Sequence, residues 1–261
     1  MNQNKKKTGF IKTYPITFLL IISNLLIYII QEISGDSSNP ADLVKMGARY
    51  DIYVASGDWW RFITPNFLHI GFTHLLLNLA GLWIFGMLVE KDFSKPKYLL
   101  IYFFCGVSSN IFSYSSGSWF GFTCCPVGAG ASGAIFGLLG AYASYLIVNK
   151  NVLGKQGKDS LISIGAIIFI NVIYGAAASG VDHIAHISGI ICGLAIGWLL
   201  SPAKQLVILP NEMFENSILV NVKRNNLSLI FIVSFVFLII ITFMAYNQRT
   251  QDIAEFSRFC I

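Results

Sequence analysis

The chain has 261 residues, of which 55% are hydrophobic and 12% charged, with a net charge of +5. A soluble domain carries about 25% charged residues, and a mean hydropathy of +0.65 leaves too little polar surface to cover a globule in water. Soluble classes and disorder are both excluded, and the composition points to an all-α polytopic membrane protein. The basic residues sit singly or in short groups between apolar segments, so they form no nucleic-acid-binding patch. The five cysteines (Cys105, Cys124, Cys125, Cys192, Cys260) are odd in number and lack C-x-x-C spacing. That supports neither a zinc site nor a disulfide framework. Cys124 and Cys125 are adjacent, which strains a bridge between them. Cys105 and Cys192 fall within apolar segments and read as packing residues.

Seven segments lack Lys, Arg, Asp and Glu and approach or reach the length of a membrane span: 14–30, 67–89, 98–114, 131–148, 161–178, 184–200 and 227–246. The first follows a lysine-rich start, but no small-x-small cleavage site follows it, so it reads as an uncleaved span. With the N-terminus inside, Lys5, Lys6, Lys7, Lys12, Lys91, Lys95, Lys97, Lys150, Lys155, Lys158, Lys204, Lys223 and Arg224 fall inside. Only Lys45, Arg49, Arg61, Arg249 and Arg258 fall outside. This asymmetry obeys the positive-inside rule for seven spans with the C-terminus outside, and one span more or fewer would scramble it.

The connections differ in character. Segment 31–66 is the longest, lies outside, and carries Trp59, Trp60 and several tyrosines suited to the membrane interface. Segment 113–130 is rich in Ser, Gly and Cys and holds Pro126, so irregular backbone is expected there. Segment 176–182 is short and made largely of small residues, as for a lid or a turn. The expected organisation is a cytoplasmic tail (1–13), a six-helix core (14–200), a cytoplasmic linker (201–226), a seventh helix (227–246) and an external tail (247–261).

Polar residues inside apolar spans are costly and usually face the bundle interior. The second span carries His69, His74 and Asn78; His74 and Asn78, four apart, share one helix face. Helix–helix hydrogen bonding alone accounts for such a pair. The fourth span opens on Gly128-Ala129-Gly130-Ala131-Ser132-Gly133-Ala134. Small residues at a helix start let backbones approach and leave N–H groups available to a negative oxygen. Ser132 lies there, although serines are also common in tight transmembrane packing. The sixth span carries His186 followed by Gly189, Gly193 and Gly197, all on one side of a helix. The fourth and sixth helices are therefore expected to pack with little between them, at a depth that brings His186 to Ser132.

These residues resemble the rhomboid family of intramembrane serine proteases. The resemblance covers about 57–200. It rests on Trp60-Arg61 in the first loop, His69 and His74-x-x-x-Asn78 in the second span, Gly130-Ala131-Ser132-Gly133 in the fourth and Ala185-His186-x-x-Gly189 in the sixth. The seventh span resembles the six-plus-one arrangement of many members.

The resemblance implies a Ser–His dyad that cleaves transmembrane segments of other proteins, with no cofactor and no metal. Ser132 would be the nucleophile and His186 the general base, with His183 its rival. His74, Asn78 and the Ser132 backbone N–H would hold the oxyanion. Gly130, Gly133 and Gly189 would allow close backbone approach, and Trp60 and Arg61 would be structural. Segment 176–182 would cap a water-filled cavity, and the fifth span would be the side gate. Expected partners are transmembrane substrates and the lipid bilayer, with no nucleic acid. The expected location is a bacterial cell membrane. The other functions in view are a non-catalytic member that binds membrane clients and, far behind it, a small transporter, since polar residues on broken helices also mark substrate paths.

Overall fold

The computed structural model describes residues 10–120, 127–177, 181–208, 217–222, 236, 240, 243, 244 and 246–255. Six long helices cover the first six apolar segments: α1 (Pro15–Ser34), α2 (Gly71–Asp92), α3 (Lys95–Phe120), α4 (Ser132–Val148), α5 (Lys150–Ala177) and α6 (His183–Leu200). By length and composition α1, α2 and α6 can cross a bilayer, while α4 is a shorter apolar helix. Residues 246–255 form a further helix, α7. Most of the expected seventh span otherwise lies outside the described residues, as do 1–9, 178–180 of the expected cap, Cys124, Cys125 and Cys260.

Local sequence explains the helix ends. Pro15 opens α1, where its missing N–H costs nothing. The free donors beside it are taken by Glu90, whose carboxylate accepts from the Ile16 N–H, the Thr17 N–H and the Thr17 hydroxyl, each at 2.8 Å. At the other end of α1, the Gln31 amide donates to the His69 carbonyl and accepts from the His69 N–H. These contacts clamp α1 to both ends of α2. Glu90→Ala strands the donors at the start of α1 and is expected to cost about 2 kcal/mol, read as a lowered thermal midpoint in detergent.

Helix α4 is the central element, with twelve of its 17 residues buried. Its glycine row meets that of α6. A methyl group on Gly189 would overlap the Gly133 carbonyl, one on Gly193 the Gly137 carbonyl, and one on Gly197 the Ala141 backbone. The two helices thus touch backbone to backbone, as the small-residue spacing predicts. Outward faces are apolar instead: Leu26 and Ile30 of α1, Leu76 and Leu77 of α2, and Phe169 and Ile170 of α5 are exposed. Apolar faces this extensive suit lipid, not water.

The loop between α1 and α2 is folded into short helices at Pro40–Lys45 and Asp51–Ala55 and turns at Trp59–Phe62 and Thr64–Phe67. The two-residue strand β1 (Arg49–Tyr50) pairs antiparallel with β2 (Val127–Gly128), just ahead of α4. Arg61 holds this loop together. Its guanidinium donates to the Val44 and Ala48 carbonyls and to Asp58, and lies 4.4 Å from the Trp60 ring centroid.

Three features depart from the sequence expectation. Helix α3 runs through Ser113 to Phe120, where irregular backbone is expected; the Ser116 hydroxyl bonds back to the Ser113 carbonyl, so this polar residue is satisfied within the helix. Helix α5 begins at Lys150, well before its apolar segment, and bends at Gly154, where φ is +52°. The 201–226 linker is not simply a connection: β3 (Ala203–Ile208) and β4 (Ser217–Val222) form an antiparallel hairpin. The hairpin is anchored where Asn149 accepts from the Lys204 N–H and the Lys204 ammonium reaches Asp92 and the Tyr145 hydroxyl.

Candidate active site

Ser132 is the first residue of α4, and the chain enters it through Gly130. Gly130 has φ +129°, a conformation that side chains avoid, and its N–H donates to the Pro65 carbonyl at 2.8 Å. A Cβ there would lie 2.6 Å from the His74 ring. Glycine is therefore required twice over, by conformation and by space. As at any helix start, the first-turn N–H groups have no intrahelical acceptor.

His186 lies in the first turn of α6, and its Nε2 is 2.9 Å from Ser132 Oγ. The Phe136 ring, one turn beyond Ser132 on the same face of α4, covers the imidazole at 4.4 Å between centroids and 36° between planes. Among the described residues no carboxylate takes the place of this ring. Asp182 instead caps α6, accepting from the Ala185 N–H at 2.9 Å. Burial raises the Asp182 pKa, but Arg49 at 3.4 Å, the Ser113 hydroxyl and the Ala185 N–H outweigh it, so the net shift is downward.

His74 and Asn78 approach from α2. The empty Cβ position of Gly130 lies 2.8 Å from His74 Nε2 and 3.7 Å from Ser132 Oγ, so both atoms border one small space. His74 Nδ1 accepts the Ile70 N–H at 3.3 Å. In the neutral ring that leaves Nε2 carrying the hydrogen, aimed as a donor. Asn78 is buried and donates one amide hydrogen to the His74 carbonyl, 2.8 Å away. His69 is fully buried, with its ring 5.4 Å from that of His74.

Of the residues singled out in the sequence, the structure brings together Ser132, His186, His74 and Gly130. Gly133 and Gly189 face each other beneath them, and Gly133 also meets Ser109 of α3. Trp60 and Arg61 lie apart from this group in the loop. The hydrogen-bond partner of Ser132 is His186, not His183. Phe136 is a residue that the sequence reading leaves unnamed. Its signal is the four-residue spacing from Ser132, which puts both on one helix face. Among the described residues no group of three or more His, Cys, Asp or Glu is placed to hold a metal ion.

The Rhomboid domain profile matches residues 56–203, more than half of the chain and all of the elements that carry these side chains. The chain belongs to the rhomboid family. This is an integral membrane family. Rhomboid protease GluP of Bacillus subtilis (strain 168) is 39% identical over 177 residues, 68% of this chain and 33% of GluP. Rhomboid protease AarA of Providencia stuartii is 33% identical over 221 residues, 77% of this chain and 78% of AarA. Rhomboid-like protease 2 of Toxoplasma gondii is 31% identical over 190 residues, 69% of this chain and 65% of that protein. This chain thus matches most of the length of one rhomboid relative and about one third of another.

Proposed function

We propose that the protein is an intramembrane serine endopeptidase that hydrolyses peptide bonds in or near the transmembrane segments of other membrane proteins. The observation that carries this reading is the 2.9 Å contact between Ser132 Oγ and His186 Nε2, at facing ends of two helices packed backbone to backbone. Ser132 Oγ attacks the substrate carbonyl while His186 Nε2 takes its proton. The tetrahedral oxyanion receives hydrogen bonds from His74 Nε2, the Asn78 amide and the Ser132 N–H; in a soluble protease one such donor is worth roughly 2.7–4 kcal/mol. His186 then protonates the leaving amine and an acyl-enzyme remains. A water, deprotonated by the same nitrogen, releases the second product and restores the serine.

With no third member to orient it among the described residues, the imidazole relies on Phe136 and on its place in the capped first turn of α6. Gly130 and Gly133 keep the nucleophile's surroundings free of side chains, and Gly189 lets α6 approach. Arg61, beside Trp60, holds the loop that frames the site. A substrate helix must unwind before its carbonyl is reached, so small or helix-weakening residues are expected at the cleavage site. The topology that accompanies this chemistry has seven spans, with the N-terminus inside and the C-terminus outside. It comprises a 1–13 tail, a 14–200 core, a 201–226 linker, a 227–246 seventh helix and a 247–261 external tail, in a bacterial cell membrane.

The test uses the purified protein in liposomes. A fluorophosphonate probe is expected to label Ser132 alone, located by peptide mass spectrometry, and a single-span substrate is expected to be cut. A protein that binds such a substrate but neither cuts it nor takes the probe is the non-catalytic member, and the reading fails.

A further inference from the structure

Three buried charges and the half-buried Asp182 run from the C-terminal helix to the cap of the helix that bears His186. Arg249 Nη2 of α7 is 3.3 Å from Asp51 Oδ2 in the α1–α2 loop. Asp51 Oδ1 is 3.6 Å from Arg49 Nε, and Arg49 Nη1 is 3.4 Å from Asp182 Oδ2. The other oxygen of Asp182 accepts the Ala185 N–H at the start of α6. Arg49, Asp51 and Arg249 are each at most 5% exposed. Asp51 lies between the two buried arginines and Asp182 faces Arg49 from the partly exposed end, so each buried charge has an opposite charge beside it.

The surroundings are shaped for this chain of charges. A Cβ on Gly117 of α3 would collide with the Arg249 guanidinium, and one on Gly128 would press on that of Arg49 at 3.1 Å. Two glycines thus clear the seats of two buried guanidinium groups. Apolar contacts fix α7 in register with them. Ile253 is buried with Val54, Phe62 and Tyr114, and the Tyr246 ring lies against Phe62 and Tyr114. The Tyr114 and Thr250 hydroxyls are 2.9 Å apart.

We propose that α7 acts on the catalytic centre through Arg249, Asp51, Arg49 and Asp182, with Arg249 a positioning residue for His186. The proposal rests on the Ser132–His186 reading. Asp182 anchors the turn from which His186 projects, so slack in the charge chain becomes slack in the 2.9 Å contact with Ser132. The device joins residues 198 positions apart in the chain.

The test uses the full-length protein in liposomes, with Arg249→Gln, Arg249→Lys and Asp182→Asn. Arg249→Gln is expected to lower kcat on a single-span substrate roughly tenfold, with KM little changed. It should slow fluorophosphonate labelling of Ser132 in step and speed amide hydrogen exchange at 184–187. Arg249→Lys keeps the charge and should recover most of each loss. Asp182→Asn keeps a capping oxygen without the charge and should resemble Arg249→Gln. Wild-type kcat, labelling and exchange in Arg249→Gln overturn the proposal. So do equal losses in the Gln and Lys variants with unchanged exchange at 184–187, which mark Arg249 as structural only. If Arg249→Gln does not fold, Gly117→Ala, which crowds the guanidinium seat, takes its place with the same expected losses. A wild-type protein that neither cuts nor labels refutes the dyad reading itself, while the exchange measurement still decides whether α7 and α6 are coupled.

Discussion

Ser132→Ala and His186→Ala are each expected to lower cleavage of a single-span substrate by roughly 10,000-fold or more, and His183→Ala is expected to retain most of it. The two side chains meet at 2.9 Å and act as one unit in the proposed chemistry. Their effects should therefore not add: the Ser132→Ala/His186→Ala double variant is expected to be no worse than either alone. Single-turnover rates of the four proteins in liposomes, with thermal unfolding as a control for folding, make the measurement. An inactive His183→Ala beside an active His186→Ala would move the general base one turn towards the start of α6. An active Ser132→Ala would remove the nucleophile from the mechanism altogether.

Gly193→Val carries the largest expected loss of stability, about 3 kcal/mol or more, the upper end for overpacking a close-packed interior. Its Cβ would fall on the Gly137 carbonyl, and backbone cannot swing aside as a flexible side chain does. The helices must move apart, and Gly189 and His186 are on the moving helix. Activity is thus expected to fall along with stability. Gly165→Val on α5 is the matched control. That position has open space around the new Cβ, and the change should stay within about 1 kcal/mol. Thermal midpoints of both variants in one detergent decide the comparison; equal midpoints would mean that the α4–α6 contact is looser than its geometry.

Much of this architecture is legible in the sequence because its determinants are local. Apolar stretches without charge reveal α1 to α6 to within a few residues at most ends. Gly189, Gly193 and Gly197 report a close helix contact by spacing alone, since three- and four-residue steps return to one face. Ser132 and His186 can be named because each lies in the first turn of a glycine-faced helix, and the resemblance of the surrounding motifs points to the same pair. Polar groups at such positions stand out against lipid in a way they would not in a soluble protein.

Other features depend on what folding brings together. Phe136 is one aromatic among many until α6 places His186 against it. Segment 203–222 carries no hairpin signal that outweighs its role as a connection, and Lys204, Asp92 and Asn149 meet only once α2, α4 and the hairpin are assembled. Arg49 and Arg249 read in the sequence as two isolated basic residues, and Asp182 as a residue too far back on its loop to orient His186. Hydrophobic periodicity determines which segments become helices and which faces they hide, because it acts over one or two turns. The partners of buried charges were decided by the tertiary structure alone, since an electrostatic contact depends on separation in space and Arg249 and Asp51 stand 198 residues apart in the chain.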